Sequence, residues 1–280
     1  MKKNRLLSPA ICLLASLVIT SSVQAATIGH WRFENSPGFL NDSAGSYILT
    51  NNNDVTQVAT PFGSTVPQTS ASNEYAASFN GTNAFLASGA DPNFDLGNAF
   101  TIEAYFRPNA LTGTHMIASH TRTSDNQRSW FLATNDASGI RMNLSANGTN
   151  NKTENAFNGS LTTGKSYYVA AAFDGSTHSV TFYLKNLTDD TALQTATIAF
   201  VADGSNITSV HNSSAHFNIG AAGNGDVGSV FDGIIDEVRL SDTALSQGQL
   251  MIIPEPGAYG MLVGFATLAC VMLRRRRRHA

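Results

Sequence analysis

The chain has 280 residues, 42% hydrophobic and only 13% charged, enough apolar material for a single core in one domain of about 200 residues with extra segments. Eight of its 17 basic residues stand at the two ends, and between Ala26 and Ile253 nine basic face 19 acidic residues, a net of −10, which offers phosphates no positive field and excludes nucleic acid as a partner. Both cysteines, Cys12 and Cys270, lie in terminal apolar segments, so no disulfide framework holds the middle, which at this size is compatible with export.

Met1 to Ala25 reads as a secretory signal peptide. Lys2, Lys3 and Arg5 give the positive start, Leu6 to Ile19 the apolar stretch, and Val23-Gln24-Ala25 the small-residue site for signal peptidase. The mature chain is expected to begin at Ala26. A membrane-spanning first helix is disfavoured, because the apolar run is short and Pro9 interrupts it.

From Thr27 to Leu240 the apolar residues recur with period two. In Phe100-Thr101-Ile102-Glu103-Ala104-Tyr105-Phe106-Arg107, one face carries Phe100, Ile102, Ala104 and Phe106, as a half-buried strand requires. Similar runs predict strands at Ile28 to Phe33, Ala76 to Phe79, Trp130 to Thr134, Ile140 to Leu144, Tyr167 to Phe173, His178 to Lys185, Phe217 to Gly220 and Ile234 to Leu240. Asn80-Gly81, Asn158-Gly159, Asp174-Gly175 and Asp232-Gly233 are read as tight turns in which glycine supplies positive φ. The Asn-, Ser- and Thr-rich stretch 41–72 is expected to hold one weak edge strand in long loops. Thr243 to Leu250 is read as a short terminal helix capped by Ser241 or Asp242. Many short strands with such turns predict an all-β antiparallel β-sandwich or jelly roll over residues 26–252.

The ordered pieces His30-Trp31-Arg32-Phe33-Glu34, Ala77-Ser78-Phe79-Asn80-Gly81, Phe100 to Pro108, Tyr167 to Gly175, Phe217-Asn218-Ile219-Gly220 and Phe231 to Leu240 resemble the laminin-G-like or concanavalin A-like jelly-roll domains. Tyr105 stands where that family commonly has Trp, and Tyr167-Tyr168 where it has a Trp-His pair; both keep an aromatic at a packing position.

Chemistry-bearing patterns in this region are few. Asp232-Gly-Ile-Ile-Asp236-Glu237 lacks the Glu-x-Asp-x-Glu spacing of related glucanases, and on a regular strand Asp236 and Glu237 point to opposite faces. No Gly-x-Ser-x-Gly elbow is present, and the histidines at 115 and 120 and at 211 and 216 are spaced for neither face of a strand nor one face of a helix, so no zinc site is read. Calcium takes six to eight hard oxygen ligands, and the resemblance implies a structural site between the first and last strands, to which Glu34, Asp42 and Asp236 would contribute. The competing reading makes these three a satisfied surface cluster or N–H acceptors. Asn224-Gly225-Asp226-Val227-Gly228 is a single copy of a repeat that works by stacking, and reads as a polar loop. Trp31 is expected in the core, whereas Trp130 is left between the core and a sugar-stacking role.

The chain closes with Ile253-Pro254-Glu255-Pro256-Gly257, an uncharged apolar run 257–273, and Arg274, Arg275, Arg276, Arg277 and Arg278. Seventeen residues at about 1.5 Å each reach about 25 Å, the short end of a bilayer span, and the arginines hold the C-terminus on the cytoplasmic side. Pro254 and Pro256 cannot continue a helix, which leaves the tripeptide extended and open to a protease. This tail resembles the PEP-CTERM sorting signal of Gram-negative bacteria. The resemblance implies export, transient retention in the inner membrane, and processing by an exosortase at Pro254, Glu255 and Pro256; a permanent single-pass anchor is the competing reading.

The expected function is a non-catalytic surface or extracellular-matrix protein of an exopolysaccharide or biofilm setting, its jelly roll binding extracellular polysaccharide or a surface protein. A secreted glycoside hydrolase with an unrecognised acid pair and a structural spacer without ligand are the alternatives.

Overall fold

The computed structural model describes residues 25–202, 204–223 and 229–254. In chain order the strands are β1 (Thr27–Trp31), β2 (Thr50–Asn52), β3 (Thr56–Ala59), β4 (Tyr75–Asn80), β5 (Phe85–Ala87), β6 (Ala99–Pro108), β7 (His115–Arg122), β8 (Gln127–Thr134) and β9 (Ile140–Leu144). They continue with β10 (Lys152–Ala156), β11 (Tyr167–Asp174), β12 (Ser179–Asn186), β13 (Gln194–Ala199), β14 (Val201–Ala202), β15 (Ser205–Asn206), β16 (Phe217–Ile219) and β17 (Asp232–Ser241).

Two antiparallel sheets are stacked. One has eight strands in the order β13-β12-β11-β6-β17-β4-β3, with β1 also paired to β17; the other has seven in the order β10-β9-β8-β7-β16-β5-β2. Consecutive strands β2 and β3, β4 and β5, β6 and β7, and β16 and β17 stand at matching positions of the two sheets, so the chain repeatedly crosses from one layer to the other. That is the jelly-roll arrangement read from the strand and turn pattern.

The core lies between the layers. Phe100, Ile102, Ala104 and Phe106 of β6 share it with Tyr167, Val169, Ala171 and Phe173 of β11, facing Leu86, Trp130, Leu132, Met142, Leu144, Phe217 and Ile219 of the second sheet. Trp31 is buried and stacks on Phe217 at 4.8 Å between ring centroids, and Trp130 is also fully buried, which removes it as a sugar-stacking platform. Tyr167 stacks on Phe106 at 5.5 Å, and Tyr105 meets Tyr168 edge-on at 5.6 Å. Both tyrosine departures are packing residues.

A second apolar layer forms on the outer face of the eight-stranded sheet. There Tyr105, Tyr168 and Ala170 are covered by Val66 of the loop before β4 and by Leu245, Leu250 and Met251 after β17. The covering segment after β17 is not the helix expected over Thr243 to Leu250 but an extended chain with one 3-10 turn, Gln247–Gln249. Ser246, rather than Ser241 or Asp242, caps that turn through a reciprocal pair with Gln249.

Two turn readings also change. Gly81 (φ 68°) and Gly159 (φ 77°) have the expected positive φ. Gly175 does not; a side chain there would run into the Thr208 carbonyl, so close approach of backbone selects it, and His178 takes the positive φ of that hairpin. Gly233 lies inside β17, not in a turn, with φ 141° against the Arg107 carbonyl. The stretch 41–72 holds two short strands, β2 and β3, one at the edge of each sheet.

Candidate functional site

The outward face of the seven-stranded sheet is polar and partly open. Because Trp130, Leu132, Met142 and Leu144 enter the core, alternation leaves Phe131 of β8 and Arg141 and Asn143 of β9 on the other side. Cross-strand register sets Thr153, Asn143, Phe131, Ser119 and Asn218 in one row, and Asn155, Arg141, Ala133 and Met116 in the next. The β16 side of these rows is roofed by the segment after that strand: Ser119 Oγ donates to the Ala221 carbonyl at 2.7 Å, and Asn218 Nδ2 donates to the Gly223 carbonyl. Toward β10 the face opens. Phe131 is half-buried, Thr153 partly exposed and Asn155 exposed.

Hydrogen bonds hold the polar groups of this face in place. Asn143 Nδ2 donates to Thr153 Oγ1 at 2.7 Å, Arg141 Nε to Asn155 Oδ1 at 3.0 Å and Arg141 Nη1 to Thr114 Oγ1 at 2.5 Å. The Arg141 side chain remains 25% exposed. The half-buried Phe131 ring packs on Met116, Ala133 and Ala222, and with the fixed hydroxyl, amide and guanidinium groups of Thr153, Asn155 and Arg141 on the same face it complements a ligand with an apolar face and a hydroxyl rim. No carboxylate stands in either row, but the exposed Asp136 carboxylate lies 3.6 Å from the Arg141 guanidinium.

The acidic residues gather instead on the outer face of the other sheet, under the covering layer. The β17-to-β6 register slips between Asp236 and Arg239, and Glu237 takes φ 48°. This bulge overturns the expectation that Asp236 and Glu237 face opposite ways: the extra residue breaks the alternation and turns both to the outer face. Asp236 Oδ2 accepts from Thr60 Oγ1 at 2.8 Å, while Glu237 accepts from Arg32 Nε at 2.9 Å and lies 2.6 Å from His30 Nε2. Beside them Glu103 accepts from the Tyr168 hydroxyl (2.5 Å), Arg239 Nε (2.6 Å) and the Met251 N–H (2.9 Å). Glu103, Asp236 and Glu237 are fully buried; sealed from solvent and saturated with donors, they hold the sheet to its covering segments and are closed to a substrate.

Burial, then the neighbouring Glu237 carboxylate, pushes the Asp236 carboxyl well above the usual carboxylate range, against the lowering effect of its bonds with Thr60, Asn73 and the Glu237 N–H. A group raised in the folded state stabilises fully below its unfolded pKa of about 4 and loses that contribution as pH rises toward the folded value. Asp236→Asn, which cannot ionise, is therefore expected to gain melting temperature relative to the natural protein as pH rises from about 4 to 8. Melts across that range check the sign. A difference independent of pH would mean that Asp236 does not titrate as a buried acid.

With this geometry in hand, a family model described as the concanavalin A-like lectin/glucanases superfamily matches residues 79–251, more than half of the chain. The chain belongs to this superfamily. Solved structures that share its fold include the receptor binding domain of botulinum neurotoxin mosaic serotype C/D, with a TM-score of 0.56 and 13% identity over 82% of this chain and 51% of that one. The binding domain of botulinum neurotoxin DC matches both in complex with SialylT (TM-score 0.50, 12% identity, 82% and 51% covered) and in complex with rat synaptotagmin II (0.50, 11%, 81% and 50%). The chain spans about half the length of these structures. No curated protein matches it.

The superfamily's jelly roll does not bring the three residues read as calcium ligands into one ligand set. Glu34 Oε1 accepts from the Glu74 N–H at 2.7 Å, Asp42 Oδ1 from the N–H groups of His30 and Ala44 at 2.8 Å each, and Asp236 is held by Thr60 and the Glu237 N–H. Each carboxylate serves a different stretch of chain, and among the described residues no group of three His, Cys, Asp or Glu is placed to hold a metal. Melts in calcium and in chelator test the calcium reading: a calcium-dependent rise abolished by Asp236→Asn would support the three-carboxylate site, and coinciding curves would remove it.

Of the tripeptide read as a processing motif, Pro254 is exposed, three positions past the buried Met251. Glu255, Pro256, the apolar run 257–273 and Arg274 to Arg278 lie outside the described residues, as do residues 1–24 and 224–228. The sequence reading missed Phe131, Arg141, Asn143, Thr153 and Asn155 as a group. The strands Trp130 to Thr134 and Ile140 to Leu144 carried a usable signal, since their non-core positions are the ones that line the open face.

Proposed function

We propose that the chain is a non-catalytic binding module whose ligand, a carbohydrate, docks on the outward face of the seven-stranded sheet around Phe131, Arg141, Asn143, Thr153 and Asn155. The observation that carries this is the row of fixed polar side chains beside the half-buried Phe131 ring. Membership of a lectin and glucanase superfamily and a fold shared with a domain solved in complex with SialylT support a sugar; the same fold in complex with synaptotagmin II keeps a protein ligand as the second reading. Glycoside hydrolysis is the weaker alternative, because the carboxylates that sit close together, Asp236 and Glu237, are buried beneath a covering layer.

The terminal patterns complete the proposal. Lys2, Lys3 and Arg5 before an apolar stretch support export, and Pro254-Glu255-Pro256 before an apolar run and five arginines supports exosortase processing and display at the cell surface or in the extracellular matrix. A polysaccharide array run with a reducing-sugar assay tests the binding part. Saturable binding without released sugar is expected, and turnover abolished by one carboxylate substitution would establish the hydrolase instead.

A further inference from the structure

The outer edge of the eight-stranded sheet is β13, and it lacks the devices that usually protect an edge. Its six residues, Gln194-Thr195-Ala196-Thr197-Ile198-Ala199, include no charge, proline or glycine, and its register with β12 runs without a bulge. The other edges differ: β10 carries Lys152 and Glu154, while β2 and β3 have three and four residues. Natural sheets blunt long edges because unpaired N–H and C=O groups template another strand.

The groups that β13 presents follow from its ladder. The Phe200 N–H donates to the His178 carbonyl at 2.7 Å, one step beyond the Ser179 and Ala199 pair. Hydrogen-bonded pairs recur every second residue in an antiparallel ladder, so Ile198, Ala196 and Gln194 turn their backbone groups toward β12. Thr195, Thr197 and Ala199 turn theirs outward, and all three are exposed.

We infer that β13 pairs with β13 of a second copy of this chain, antiparallel, about a two-fold axis at Thr197. In that register Thr197 meets its own counterpart and Thr195 meets Ala199, so every outward N–H faces a carbonyl. Carried two residues further, the same register sets Leu193 against Val201, one of two exposed large hydrophobics among the described residues. The acidic residues before the strand do not repel the approach, because Asp189 and Asp190 are paired with Lys165 and Lys185 at 2.6 and 2.8 Å. An isologous contact of this kind closes at a dimer. It lies on the sheet opposite the open face and does not depend on what that face binds.

Sedimentation of the purified full chain tests this, alongside Thr197→Lys and Thr197→Pro. The proline removes an N–H that the β12 ladder does not use. The natural chain is expected to show a concentration-dependent monomer–dimer equilibrium, and both variants to stay monomeric while Thr197→Lys keeps the natural circular-dichroism spectrum. With Cys12 and Cys270 replaced by Ser, Thr197→Cys is expected to form a disulfide-linked dimer and Thr195→Cys not to, since only position 197 meets itself at a bridgeable distance. A natural chain that is monomeric at every concentration, a dimer that survives Thr197→Lys, or cross-linking at 195 without 197 would overturn the inference.

Discussion

Arg239→Ala is expected to destabilise the protein by about 3–5 kcal/mol, because it leaves the fully buried Glu103 carboxylate without its cation. The guanidinium bonds Glu103 Oε2 at 2.6 Å, Gln68 Oε1 at 2.7 Å and the Gln249 carbonyl at 2.9 Å, so its removal loosens β6, the loop before β4 and the segment after β17 together. For a domain of this size the melting temperature should fall by roughly 10 °C. The double variant Glu103→Gln with Arg239→Ala should recover part of the loss, since no uncompensated charge then remains. Equal losses in single and double variants would show that the ion pair does not couple.

A chain ending at Ser246 is expected to lose on the order of 5 kcal/mol relative to one ending at Pro254. The deletion exposes sheet surface now covered by the fully buried Leu250 and Met251, each worth about 1.5–3 kcal/mol. It also removes the Met251 N–H from Glu103 and the Gln249 carbonyl from Arg239 and from Gln68 Nε2, which donates to it at 2.9 Å. Chemical denaturation of the two chains checks the difference. If they unfold at the same midpoint, the segment is an ornament on a finished sandwich. The expected result makes it the last structural element of the domain, docked immediately ahead of Pro254.

Much of the sandwich was legible because its central strands obey period two without interruption. β6 and β11 alternate core and outer residues from end to end, and β9 matches its expected bounds, Ile140 to Leu144. The strands that were missed break the pattern for physical reasons. β7 has register shifts on both sides of Ala118 and His120, β10 is a polar edge strand, and β13 has only Ile198 packed on the core. Thr243 to Leu250 suggested a helix from its composition, but tertiary bonds from Glu103, Arg239 and Gln68 hold that segment extended.

The sites were less legible than the fold. A local pattern cannot show that Glu103, on the non-core face of β6, is covered by residues about 150 positions later. Nor can it show the bulge at Glu237, which brings two adjacent carboxylates to one face. The open face of the seven-stranded sheet depends on the register of β8, β9 and β10. The individual strands β8 and β9 could be read, but the pairing of Asn143 with both Phe131 and Thr153 could not.

Whether the ligand docks on this open face is tested most directly by titrating Phe131→Ala and Arg141→Gln with the polysaccharide that the natural protein binds. Both variants are expected to weaken binding about tenfold or more, the loss typical of a central aromatic or arginine contact, while Asp236→Asn on the opposite sheet leaves affinity unchanged. Natural affinity in both face variants, with folding intact, would contradict the account.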